Sequence, residues 1–107
     1  MTPYERGDVV LLAFPFSSEI GFKQRPALVV LDPIDSDVLV ARVTAQPYDS
    51  PFDLTLQGWR AAGPLAPSVV RLHKLATIEK ALVRRKLGRL GTSDLAAIRQ
   101  KIRQMLE

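Results

Sequence analysis

The sequence predicts a small antiparallel barrel or curled sheet, mainly β, capped by a C-terminal helix. Three observations carry this. Short β-branched and apolar runs recur through the first two thirds of the chain, separated by turn chemistry. The early runs are joined by connections too short to hold a crossover helix, which points to an antiparallel meander. The last segment alone has a clean helical period, and an order of many strands followed by one helix suits a sheet with a helix packed on it.

The first strand is expected over Val9–Phe14, a continuous apolar run stopped by Pro15. Phe16–Gln24 reads as a loop long enough to be functional. A second strand is expected over Pro26–Leu31, where a proline at the first position need not donate to a ladder. Residues 32–37, Asp-Pro-Ile-Asp-Ser-Asp, form a turn. Val38–Thr44 is the third strand. After a loop over Ala45–Pro51, Phe52–Leu56 alternates apolar and polar as a half-buried strand does. Gln57–Ala62 suits a short helical turn closed by Gly63 and Pro64. Trp59 belongs with the core, and Ser68–Leu72 is a further strand. Ala76–Leu87 fits either period: Ile78, Leu82, Val83 and Leu87 could line a helix, and Val83, Arg85 and Leu87 could line one side of a strand. The final helix is expected to be N-capped by Thr92 or Ser93, with Asp94 in its first turn. Its apolar stripe is Leu95, Ile98, Ile102 and Met105.

At 107 residues the chain is read as one domain, 1–107, large enough to bury a core without staples. It has no cysteine, which removes disulfides and thiolate metal sites and fits a reducing cytoplasm. No apolar run approaches a bilayer span, and the N-terminus lacks the apolar stretch of a signal peptide, so no membrane is expected. The net charge of +4 is unevenly divided. Residues 1–54 carry 4 Lys/Arg against 8 Asp/Glu, and residues 55–107 carry 11 against 3. The basic half is a candidate surface for phosphates or for an acidic protein partner, and a solvated basic face is the plain alternative.

The single histidine, His73, has no second histidine or cysteine beside it, so neither a metal site nor a two-histidine nuclease is expected, and no cofactor motif is present. Arg25 stands where a long loop enters a buried strand. A guanidinium there either pairs with a carboxylate such as Asp8 or Asp32, or is kept for a phosphate, whose geometry its fork matches. If the second and third strands form a hairpin joined at 32–37, the end of the third strand lies beside the start of the second. Thr44 then comes next to Arg25, a hydroxyl donor beside a cation at a loop-lined rim.

Three stretches, in order, resemble the MazF/PemK family of toxin ribonucleases. The first is Arg6-Gly7-Asp8-Val9-Val10 followed after the loop by Arg25-Pro26-Ala27-Leu28-Val29-Val30. The second is Val43-Thr44-Ala45-Gln46. The third is Ser68-Val69-Val70-Arg71, Leu75-Ala76-Thr77-Ile78, Leu87-Gly88-Arg89-Leu90 and the last helix. The resemblance implies an SH3-like curled barrel, a homodimer, metal-independent and sequence-specific cleavage of single-stranded RNA, and a cognate antitoxin whose acidic C-terminal tail covers the RNA groove. It favours strand over helix for Ala76–Leu87.

The family's arginine falls on Arg25 and its threonine on Thr44. The implied chemistry is attack of a ribose 2′-OH on its own 3′ phosphodiester. Arg25 and Thr44 would stabilise the charge on the phosphate oxygens, and Glu19 is the nominated acceptor of the 2′-OH proton. Many members carry Gly-Ser-Glu-Gln before the Arg-Pro, whereas this chain has Ser17-Ser18-Glu19-Ile20-Gly21-Phe22, with the glutamate displaced. Phe22, Lys23, Gln24, Gln46, Tyr48, Arg71, His73 and Arg84 are the candidate RNA contacts, with aromatic rings stacking on bases and cations meeting phosphates; core or dimer packing is the equal alternative for Phe22 and Tyr48, and a structural or surface role the default for His73. Two other activities fit the same fold: a non-catalytic relative that poisons DNA gyrase by binding, and an inactive protein-interaction barrel.

Overall fold

The computed structural model describes residues 3–15, 22–64 and 66–107, without the side chains of residues 14, 15, 22 and 23. Among these residues six strands form one antiparallel sheet. The elements in chain order are β1 (Asp8–Pro15), β2 (Phe22–Leu31), β3 (Asp37–Thr44), β4 (Asp53–Thr55), the short helix α1 (Trp59–Ala62), β5 (Val69–Glu79), a 3₁₀ turn (Lys80–Leu82), β6 (Val83–Arg89) and α2 (Thr92–Leu106). The spatial order is β4-β5-β3-β2-β1-β6, so the sheet does not close into a barrel.

Alternation along the strands gives the sheet two apolar faces. Val9, Leu28, Val30, Ala41, Val43, Val70 and Leu72 belong to one cluster, which Ile98 of α2 completes and against which Leu95, Ile102 and Met105 pack. The expected helix stripe is therefore the docking face. Val10, Leu12, Ala27, Val29, Val38, Val40 and Ile78 form the second cluster, covered in part by Tyr4, Leu82 and Val83. Trp59 packs half-buried against the first cluster.

Four expectations need correction. The second strand starts at Phe22 rather than Pro26, because the polar stretch before the proline pairs with β1, with Lys23, Gln24 and Arg25 opposite Phe14, Ala13 and Leu12. The strand expected to end at Leu72 runs on to Glu79 through a bulge: Arg42 of β3 faces Arg71 and the next residue back, Ala41, faces Leu75, leaving residues 72–74 looped out of the ladder. The segment left ambiguous over Ala76–Leu87 is the end of β5, a 3₁₀ turn and β6. Neither Thr92 nor Ser93 caps α2. Gly91 occupies that position without a side-chain cap, and the buried Asp94 carboxylate instead accepts from the Gln57 and Gly58 N–H groups at 3.0 and 2.9 Å, tying α2 to the approach to α1.

The turn after β2 is fixed by Asp32, whose carboxylate accepts from the N–H groups of Tyr4 (2.6 Å) and Ile34 (2.7 Å) and meets Lys80 Nζ at 2.9 Å. The Tyr4 bond is the main cause that holds this carboxyl below its ordinary value.

Candidate functional site

β2 and β3 part company at the end of their shared ladder. Their pairing covers Ala27 opposite Arg42 through Leu31 opposite Leu39. Beyond Ala27, β2 continues backward along β1 alone, and beyond Arg42, β3 continues along β5, Val43 and Thr44 facing Val70 and Val69. Pro26 stands at the fork. It has no N–H to give to the ladder with β3, whose pairing stops at the next residue, Ala27.

Two concavities open where the strands diverge. The larger, of about 490 Å³, is lined by Gln24, Arg25, Thr44, Arg42, Arg85 and Ser68 among others, with Gly63 and Pro64 of the segment after α1. The smaller, of about 330 Å³, lies beside it and shares Arg25, Pro26, Arg42 and Val43. It is otherwise lined by Leu12, Ala27, Val40, Lys74, Leu75 and Ala76. Arg25 and Thr44 both line the larger cavity, one from each side of the fork.

The charges are of one sign. Arg25, Arg42, Arg85 and Lys74 line the two cavities, and no carboxylate among the described residues does. The carboxylates considered as partners for Arg25 are engaged elsewhere. Asp8 pairs with Lys86 at 3.1 Å and Arg89 at 3.3 Å, and Asp32 pairs with Lys80. Arg25 is exposed, and among the described residues it makes no ion pair.

Thr44 is half-buried and its Oγ1 accepts from the Gln46 N–H at 3.2 Å. Gln46 in turn accepts from the Tyr48 hydroxyl at 3.1 Å, and the Arg71 guanidinium lies 3.6 Å from the Tyr48 ring centroid. Arg71 Nε donates to Asp53 Oδ1 at 2.8 Å, and its NH2 reaches His73 Nε2 at 3.3 Å. The Phe52 ring is tilted against His73 at 5.7 Å. This is a continuous run of contacts from the start of the 45–51 loop to β4 and β5. Burial alone would raise the Asp53 carboxyl, but the bonds from Arg71 and Ser50 outweigh it and bring it to about 2.

Of the residues nominated from sequence, Gln24, Arg25 and Thr44 line the larger cavity. Gln46, Tyr48, Arg71 and His73 form the neighbouring network and line neither cavity. Arg84 lies on β6, also outside the lining. Glu19 lies outside the described residues, as do the side chains of Phe22 and Lys23, whose backbone opens β2. Sequence reasoning passed over Arg42, Arg85, Lys74 and Ser68. A signal for Arg42 was present: it precedes Thr44 by two positions on a strand, so both share a face.

A model of the PemK-like, MazF-like toxin of type II toxin-antitoxin systems matches residues 5–106. The chain belongs to this family. Solved structures agree in fold with this PemK-like, MazF-like toxin. A MazE–MazF structure from Deinococcus radiodurans is 23% identical with a TM-score of 0.77, the match covering 96% of this chain and 95% of that one. An endoribonuclease in complex with its cognate antitoxin, from a mycobacterial species, is 19% identical with a TM-score of 0.75 over 97% and 95%. Mycobacterium tuberculosis toxin MazF-mt6 is 22% identical with a TM-score of 0.70 over 89% and 93%. No curated protein sequence matches. No helix among the described residues is long and apolar enough to cross a membrane.

Proposed function

We propose that this toxin-family chain is a cytoplasmic endoribonuclease that cuts single-stranded RNA at short sequences without a metal, and that a cognate antitoxin with an acidic C-terminal tail holds it in check. The observation that carries this is that Arg25 and Thr44 line one cavity whose charged lining, among the described residues, is wholly cationic. A phosphodiester in that cavity would meet a permanently charged fork and a hydroxyl from opposite strands.

The reaction is transesterification. The 2′-oxygen forms a bond to the adjacent phosphorus, the bond to the 5′-oxygen breaks, and that oxygen takes up a proton, for which Arg25 is the nominated donor, so that a 2′,3′-cyclic phosphate and a 5′-hydroxyl result. Charge builds on the non-bridging oxygens, where Arg25 and Thr44 donate. Thr44 Oγ1 already accepts from Gln46, which leaves its O–H free to donate. A guanidinium does not accept a proton, so the 2′-OH proton goes to another group, for which Glu19 is the nominated carboxylate. The same cationic lining suits an acidic peptide, which gives inhibition and catalysis one surface. The working form would be a homodimer.

The test is incubation with a long single-stranded RNA in EDTA. Discrete fragments ending in cyclic or 3′-phosphate are expected, and Arg25→Ala should slow their formation by about 10²-fold or more. Intact RNA together with gyrase-trapped double-strand breaks in DNA would instead establish the gyrase-poison activity.

A further inference from the structure

We propose that Arg42 grips a second phosphate of the substrate, next to the one held by Arg25 and Thr44, and so positions the chain across the fork between β2 and β3. This rests on the RNA-cleaving reading of the same site.

Arg42 is one of four residues that line both cavities, the others being Arg25, Pro26 and Val43. It sits two positions before Thr44 on β3, hence on the same face and roughly 6.6 Å along the strand. That step is comparable to the spacing of neighbouring phosphates in an extended single strand. The position is also an unfavourable one for a cation without a ligand. Arg42 faces Arg71 across the β3–β5 ladder, and like charges directly opposed across strands repel. Arg71 is neutralised by Asp53 at 2.8 Å and stacked on Tyr48. Arg42 is exposed, and no carboxylate among the described residues pairs with it. Its neighbours on its own face are Val40 and, across the ladder, the small Ala27. The stem can lie on these apolar groups while the guanidinium projects to the cavities. The pattern is one paired arginine beside one left for an outside anion.

The test measures binding of a short fluorescent oligomer of 2′-O-methyluridine, which lacks the attacking hydroxyl and is not cut, as a function of salt. Each phosphate contact in a single strand contributes about 0.7 to the slope of log affinity against log salt. Arg42→Gln should lower the slope by about that amount and Arg42→Lys should restore it, with the thermal unfolding midpoint of Arg42→Gln no lower than the parent's, because the side chain is exposed and its loss removes the repulsion from Arg71. On cleavable RNA, Arg42→Gln should raise KM about tenfold, the size of one charge-assisted hydrogen bond, with little change in kcat. If the unmodified protein binds the oligomer with salt-sensitive affinity and Arg42→Gln keeps the full slope, the second-phosphate role is wrong while the RNA reading stands. If the unmodified protein binds no RNA, both fall.

Discussion

On the proposed function, the one hydroxyl of Thr44 serves two tasks. Its lone pair takes the Gln46 N–H at 3.2 Å, which orients the start of the 45–51 loop, and its proton remains for a ligand. Thr44→Ser keeps both functions and should cleave RNA within a few-fold of the parent. Thr44→Val keeps the shape but loses donor and acceptor, and its cleavage rate should fall by about 10²-fold, read in a single-turnover assay. Asp53 acts one step further away. Its carboxyl titrates at about 2 in the folded protein against an ordinary 3.8. A depressed folded-state value means that its contribution to stability is complete above the ordinary value and disappears as pH falls from about 4 toward 2. Thermal unfolding across that range should show a loss that Asp53→Asn largely removes. The same variant should be less stable at neutral pH by about 1–3 kcal/mol, because Arg71 is left without its anion. At this scale the sequence was readable where local geometry decides. Arg25 and Thr44 line one cavity because the hairpin turn at 32–37 returns the end of β3 toward the start of β2. Arg42 was passed over because a charged residue on a strand is by default solvated, and only the fork shows that it faces a cavity.

At the scale of elements, α1 and β6 pack backbone against backbone. Gly63 ends α1 in the left-handed region at φ 108°, and a Cβ there would stand 2.6 Å from the Leu87 carbonyl oxygen. A Cβ on Gly88 would stand 2.5 Å from the Ala62 carbonyl oxygen. The two glycines let two backbones touch, and Gly63, Pro64 and Leu87 also line the larger cavity. Gly88→Ala must push α1 away from β6. It should cost about 1–3 kcal/mol and lower the melting midpoint by several degrees, with RNA cleavage reduced alongside. The expected closing turn at Gly63 and Pro64 follows from chemistry that any sequence displays. The early start of β2 does not, since Lys23, Gln24, Arg25 and Pro26 have loop composition and become strand only because β1 offers a complete row of partners. The length of β5 was hidden for a related reason: the looped-out residues 72–74 break the alternation on which a strand is recognised.

Over the whole molecule, a sheet with two apolar faces has to be covered twice, and α2 covers the first. Ile98 is fully buried at the meeting of α2 with β1, β2 and β3 side chains. Ile98→Ala should destabilise the protein by about 2–5 kcal/mol, measured by denaturant unfolding. The stripe that docks this helix was fully legible, because a 3.6-residue period is distinctive over four turns. The cap was not, since Asp94 is drawn into a tertiary bond that no local rule anticipates. Barrel closure was not legible either, as it depends on whether the outermost strands meet.

They do not meet, and that leaves two rows of backbone groups with no neighbour on one side. Such rows invite a second copy to add itself as a further strand. Here β4 is three residues long, too short to template much. β6 carries Arg84, Arg85 and Lys86 in succession, and although Asp8 pairs with Lys86, a second β6 laid alongside would set like charges against one another. The short β4 and the charged β6 thus guard the two edges of the open sheet against strand addition.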